Sequence, residues 1–167
     1  MASDRIHLSV TEAREHSDCA LRGIGYDAEE ASIIADHVID AALCGYEYSG
    51  LAKILNIPEH RRFKEPRYPM KVLRETEVSL LYDGGNNVGM LVMYHAARAA
   101  IDKAAARGVA IVGVTNSWMS GRSAYYMEMI AASRWQFAKS AYHLDKTKAE
   151  PTTCTKTQPN PQLLAGV

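Results

Sequence analysis

No apolar run in this chain of 167 residues approaches the roughly 18 to 20 consecutive residues that cross a bilayer, so a membrane is not among the expected partners. An excess of either charge is also missing: 19 Lys and Arg meet 19 Asp and Glu. Without a basic stripe there is no electrostatic footprint for nucleic acid. Cysteines are few and unpatterned. Cys19, Cys44 and Cys154 are odd in number and form no Cys-x-x-Cys, which argues against a disulfide framework or a zinc site and for reduced thiols. The opening residues Met1-Ala2-Ser3-Asp4-Arg5 lead into a polar helix pattern rather than an apolar core. No signal peptide is read there, and a cytoplasmic location is expected.

What the chain does have is enough length for one core and an apolar content of 47%, the composition of a globular domain. Ser9-Val10-Thr11-Glu12 has the form of a capping box and predicts a helix from about Val10 to Arg22, ended by Gly23 and Gly25. Asp27 and Glu30 repeat that signal. The second helix puts Ile34, His37, Val38, Ala41 and Ala42 on one face, and Gly45 stops it. His37 reads as a satisfied, partly buried histidine rather than a metal ligand, because no second ligand sits at helical spacing.

The stretch Cys44-Gly45-Tyr46-Glu47-Tyr48-Ser49-Gly50-Leu51-Ala52-Lys53 sets hydroxyls, phenols and a lysine into a glycine-bounded turn at a helix end. A helix cap followed by a connector with surface tyrosines accounts for it as well. Leu51 to Asn56 predicts a short helix closed by Pro58, and Glu59 to Arg74 predicts an extended surface connector. Its His60-Arg61-Arg62 cluster has the chemistry to grip an anion, although a solvated loop explains it more simply.

From Glu75 the pattern changes. Val78–Tyr82 predicts a strand, Asp83–Gly89 a tight turn, Val88–Arg107 a helix ended by Gly108, and Val109–Val114 a fully buried strand. That order is a crossover unit of α/β type. The Asp83–Gly89 turn matches neither G-x-G-x-x-G nor the P-loop form. The polar loop Thr115–Arg122 follows the second strand, where α/β folds usually place ligands, and Ser120 or Gly121 can cap the helix beyond it. Capping without a ligand fits the spacing equally well. Past Ser133 sustained periodicity is lost, and Lys146–Pro161 is too polar and rich in threonine and proline to pack.

The order helical hairpin, Gly-x-x-x-x-Gly turn, connector, strand with Asp-Gly, alanine-rich helix, Gly-Val strand and Asn-Ser loop resembles the N-terminal half of the non-Rossmann malate/L-lactate dehydrogenase family. That family includes ureidoglycolate and sulfolactate dehydrogenases and the diketogulonate and piperideine-carboxylate reductases. The matching stretches are Ala35–Gly45, Tyr82–Gly89 and Gly108–Ser117, within a resemblance running from about Ser9 to Ala131. It implies an α/β (α+β) fold: a helical region over 1–74 with the substrate-side turn and the start of an unusual NAD(P)-binding α/β domain over 75–132, to which composition adds an irregular, unstructured tail over 133–167.

The implied activity is hydride transfer between NAD or NADP and a 2-hydroxy/2-oxo acid or a cyclic imino acid, in a homodimer. The family's Gly-x-x-Ser-His-Gly turn reads Gly45-Tyr46-Glu47-Tyr48-Ser49-Gly50 here, with Ser49 in the place of the acid/base histidine. Tyr48 or Tyr46 then becomes the candidate proton donor and Ser49 an orienter. Lys53 stands where the family has its substrate arginine, with His60 as a second substrate-side candidate. The family's Asn-Ser-x-His-x-Gly becomes Asn116-Ser117-Trp118-Met119-Ser120-Gly121, which places Asn116, Ser117, Met119, Ser120 and Gly121 on the cofactor side. Family chains are about twice as long, and the tail after about Ala132 is read as foreign to the family, from a truncated or out-of-frame product. The alternative is a catalytically dead remnant serving as an interaction or dimerisation module.

Overall fold

The computed structural model of the chain describes residues 6–142, with side chains described through residue 133. Two capped helices open it, α1 (Val10–Gly23) and α2 (Ala28–Leu43). Both capping boxes form as the sequence predicts. Ser9 Oγ accepts from Glu12 N–H at 3.2 Å and Asp27 Oδ1 from Glu30 N–H at 2.9 Å, while each glutamate reaches back to its cap. Each box satisfies helix-end donors that would otherwise need water. The apolar stripe of α2 is buried along its length, and Ile34, Val38, Leu21, Ile57, Met90 and Trp118 share one core with it.

A single 3-10 turn (Glu47–Ser49) leads into α3 (Lys53–Glu59). Pro58 lies inside α3, one residue before its end, rather than closing it at the preceding turn. A proline this late removes only the bond to the Ile54 carbonyl, which a helix of seven residues tolerates.

The connector from Glu59 to Arg74 is more structured than its composition predicts. It holds a second 3-10 turn (Arg61–Lys64) and then β1 (Lys71–Glu75), an edge strand whose five residues are all exposed. With no buried face, β1 has no apolar alternation for the sequence to display. β2 (Ser79–Val88) also runs past the expected strand, through Asp83-Gly84-Gly85-Asn86-Asn87. This segment is a bulge within the strand: pairing with β3 (Ile111–Trp118) lapses after Asp83 and resumes at Asn87. Gly85 and Asn86 take positive φ, 64° and 60°, and the Tyr68 N–H donates to the Gly85 carbonyl at 2.7 Å, laying the connector across the bulge.

α4 (Gly89–Arg107) joins β2 to the parallel strand β3, completing the expected crossover. The sheet is mixed, in the order β1-β2-β3 with β1 antiparallel. The expected burial of Val109–Val114 does not hold: Ile111 is 70% exposed and Val109 is exposed too. β3 is an outer strand of this sheet among the described residues, so an apolar run of buried-strand character is covered on the side where α4 packs and open elsewhere. The last helix, α5 (Ser123–Tyr142), continues nine residues past Ser133, so the irregular tail read for 133–167 does not begin there. The remaining part, 143–167, lies outside the described residues. Among the described residues no helix is long and apolar enough to cross a membrane.

Candidate active site

The turn after α2 is closed by backbone bonds. Tyr46 N–H donates to the Ala41 carbonyl at 2.9 Å and Gly45 N–H to the Ala42 carbonyl at 3.0 Å, the double closure that a left-handed glycine permits at a helix end. Ser49 N–H then reaches Tyr46 O and Lys53 N–H reaches Gly50 O, so Tyr46 to Lys53 is a sequence of linked tight turns.

Within it the side chains separate sharply. Tyr48 is 78% exposed and Tyr46 is exposed as well, whereas Lys53 is only 7% exposed. The Lys53 ammonium sits over the Tyr48 ring, 4.0 Å from its centroid. No carboxylate pairs with it among the described residues. A cation–π contact of this kind contributes on the order of 1 kcal/mol, which offsets only part of the desolvation of a buried ammonium. Lys53 is therefore a largely buried cation whose neighbour is an aromatic face.

The loop after β3 carries the other candidates. Asn116, Met119 and Gly121 all take positive φ, 53°, 59° and 72°. These kinks turn the chain from strand into α5 within a few residues. Asn116 is held at both ends of its amide: Nδ2 donates to Asp83 Oδ1 at 2.8 Å, and Oδ1 accepts from the Arg62 guanidinium. Asp83 Oδ1 also accepts from Gly85 N–H, and these two bonds hold its carboxyl below the usual range, the backbone bond being the larger cause. Ser120 offers its carbonyl to the Tyr126 hydroxyl at 2.5 Å, and Ser117 and Ser120 remain accessible.

Sequence reasoning did not pick out what ties this loop to α2. Arg122 is buried, its N–H donates to His37 Nε2 at 2.8 Å, and its guanidinium pairs with Asp40 at 2.5 Å and Glu128 at 2.8 Å. His37 and Asp40 lie one turn apart on α2, a spacing that was legible, but the arginine that would meet them sits 82 residues beyond Asp40. Because Nε2 accepts, Nδ1 carries the proton of a neutral ring. Burial pushes the imidazole down to about 4, with Arg122 adding to that effect and Asp40 opposing it. Burial pushes Tyr125 up to about 12, aided by the Asp36 and Asp40 charges, and raises Tyr126 further. Both phenols touch the His37 ring and keep their protons at neutral pH.

The structure brings the sequence candidates together in pairs rather than in one cluster. Tyr48 meets Lys53. Tyr46 lies under Arg122, its ring centroid 5.8 Å from the guanidinium, and so links the turn to the loop. His60 stacks on Trp118 at 4.4 Å. It stands at the far end of α3 from Lys53, about 10 Å along the helix axis at the usual rise. Among the described residues no cluster of His, Cys, Asp and Glu has the makings of a metal site.

A sequence model of the family described as malate/L-lactate dehydrogenase matches residues 8–134. The chain belongs to the malate/L-lactate dehydrogenase family. It is 34% identical over 121 residues to a malate dehydrogenase of Pyrococcus abyssi, covering 66% of this chain and 31% of the relative. Against a malate/(S)-sulfolactate dehydrogenase of Methanothermus fervidus the identity is 31% over 124 residues, covering 73% and 37%. Among solved structures, malate dehydrogenase from Entamoeba histolytica superposes with a TM-score of 0.71 at 27% identity, over 77% of this chain and 36% of that one. The chain thus spans about a third of the length of the dehydrogenases it matches. In this malate/L-lactate dehydrogenase family member the matched stretch takes in both the Tyr46–Lys53 turn and the Asn116–Gly121 loop.

Proposed function

We propose that the chain carries the substrate-side turn of an NAD(P)-dependent oxidoreductase acting on a 2-hydroxy/2-oxo acid or a cyclic imino acid, in a homodimer. The observation that supports this most is Lys53, a largely buried ammonium with no carboxylate partner among the described residues, set at the turn beside a phenol. A substrate carboxylate completes the charge pairing that the fold leaves open. When bound, the nicotinamide supplies hydride to the substrate's trigonal carbon. Tyr48 then donates its phenolic proton to the carbonyl oxygen or imine nitrogen, and its wide exposure lets solvent return that proton. The Lys53 ammonium over the ring lies next to the negative charge that forms there as the proton leaves. Ser49 orients the acceptor atom, and Tyr46, held against Arg122, is the second candidate donor.

On the cofactor side, Ser117 and Ser120 offer hydroxyls, Met119 an apolar contact and Gly121 room for close approach. Asn116 has both ends of its amide engaged, so its part there is to fix the loop. Arg122 N–H is already given to His37 and is not available to a phosphate.

Two measurements test this reading. Titration with NADH and NADPH is expected to give a saturable change in nicotinamide fluorescence. Tyr48→Phe is expected to lower turnover of NAD(P)H with 2-oxo acids or cyclic imines about 100-fold or more while leaving cofactor affinity within about twofold, the usual scale for removing a general acid. Unchanged turnover rules Tyr48 out.

A second reading, an interaction module without catalysis, draws on Ser49 in the histidine's place and on exposed apolar side chains of the sheet, Val72, Leu73 and Ile111. No cofactor binding at millimolar NADH or NADPH favours it.

A further inference from the structure

The two edges of the sheet are built differently. β1, on one side, carries Lys71, Arg74 and Glu75, breaks register with β2 between Val72 and Arg74, and follows closely on Pro69. Charges, an irregularity and a nearby proline are the usual means of keeping an edge strand from pairing with another chain. β3, on the other side, has none of these. From Gly108 to Trp118 there is no charged residue and no proline. Among the described residues β3 pairs with β2 alone, so its outer edge is open.

Backbone geometry says which groups line that edge. Ile111 N–H donates to the Val78 carbonyl at 2.9 Å, so the backbone groups of Ile111 point to the β2 side. Successive residues of a strand direct these groups to opposite sides, which turns the N–H and C=O of Val112 and Val114 outward. An antiparallel strand uses both when the register is centred on Val112. Val112 then meets its own counterpart in a pair that exchanges both hydrogen bonds, and Val114 meets Ala110. The same register sets Ile111 opposite Gly113. Ile111 is 70% exposed, whereas Gly113 has no side chain, and Leu81 Cδ1 lies 3.1 Å from where its Cβ would stand. Each Ile111 thus fills the gap at the other strand's glycine and packs toward the leucine already there.

That match of a strand with itself points to a second copy of the chain as the occupant. Beside a two-fold axis any charged residue would face its own equivalent, and β3 carries no charge to repel. The chain as a whole has no net charge either, with 19 Lys and Arg against 19 Asp and Glu, so no long-range repulsion opposes the approach.

We propose that two copies of the chain associate through β3, antiparallel about Val112, joining their three-stranded sheets edge to edge. This gives the homodimer of the dehydrogenase reading a surface, but it stands on the strand's own geometry and not on the chemistry of the turn.

Sedimentation equilibrium of the full chain over about 1–200 μM is expected to show a mass rising from 18.4 kDa toward twice that value. Amide exchange on the same samples reads the edge directly. Val112 and Val114 N–H are expected to gain about tenfold or more in protection as concentration rises, while Ile111 N–H, already bonded to Val78, changes little. Ile111→Lys sets an ammonium one residue from the axis in each copy and is expected to weaken association about tenfold or more. Leu73→Lys, on β1, is expected to leave association within about twofold. Urea midpoints at low concentration report whether both variants fold, and exchange in the natural chain decides the matter if Ile111→Lys does not. A monomer throughout, a dimer whose Val112 and Val114 amides stay unprotected, or protection of both amides already in the monomer each overturn the proposal. The last outcome assigns the edge to another part of the same chain. A monomer leaves hydride transfer at the Tyr46–Lys53 turn to be decided by the NAD(P)H titration, while failed NAD(P)H binding leaves this interface untouched.

Discussion

Replacing Gly121 with alanine is expected to lower stability by about 4 kcal/mol, more than most single substitutions in this chain could. Three costs add at one atom. The backbone there has φ +72°, which costs a Cβ-bearing residue about 1 kcal/mol. The new Cβ would stand 2.1 Å from His37 Nε2, deep inside contact distance, and the ring cannot retreat because Tyr125 and Tyr126 pack against it. Overpacking of this sort costs about 1–3 kcal/mol. Moving the ring also breaks the Arg122 N–H bond to Nε2, leaving a buried donor and a buried acceptor unpaired at about 1–3 kcal/mol more. Urea unfolding of Gly121→Ala measures the sum. Gly108→Ala is the control: it has a similar φ of +80° but open space around the Cβ, so only the backbone cost of about 1 kcal/mol is expected. Equal losses in the two variants would refute a steric role for His37.

The second large effect is acid sensitivity from the same histidine. In the fold the imidazole titrates at about 4, against an ordinary value of 6.5, chiefly because it is buried. The unfolded chain therefore takes up a proton at His37 over a range in which the folded chain does not. That linkage contributes its full stability above pH 6.5 and loses it as pH falls from 6.5 to 4. At 1.36 kcal/mol per pH unit the loss is on the order of 3 kcal/mol. Carboxyls held low in the fold, such as Glu128 beside Arg122, lose their contribution only nearer and below their ordinary 4.5. The interval from 6.5 to 4.5 therefore belongs mainly to His37. Unfolding free energies measured across that interval should fall steeply for the natural chain and stay nearly level for His37→Gln. A level profile in both would contradict the buried neutral ring.

Local signals in the sequence carried over well where the physics is local. Ser9/Glu12 and Asp27/Glu30 announced their helices because a capping box is written within four residues. Gly108 ended α4 for the same reason. The crossover β2-α4-β3 followed from the order of apolar patterns. β1 was missed because an edge strand with no buried face has no pattern to read. The Asp83–Asn87 stretch looked like a turn since its residues are turn residues, but here they serve a bulge inside a strand, which only pairing with β3 defines. Val109–Val114 has the composition of a buried strand, and its exposure depends on what else flanks the sheet, a fact outside the strand's own residues.

The candidate site divides in the same way. The Tyr46–Lys53 turn was legible because its motif is contiguous, and the structure adds the contact between Lys53 and Tyr48. The Arg122–His37–Asp40 group and the Arg62–Asn116–Asp83 chain were not legible, since each joins residues tens of positions apart with no motif of their own.

α2 carries the Tyr46–Lys53 turn on its C-terminal end and, a turn or two earlier, grips the post-β3 loop through His37 and Asp40. One rigid rod thus holds both. A hinge between turn and loop would have to break the Arg122–Asp40 ion pair and the buried Arg122 N–H bond to His37, so the fold resists moving one against the other. The entropy of fixing turn against loop is therefore lost once, during folding, rather than at each binding event.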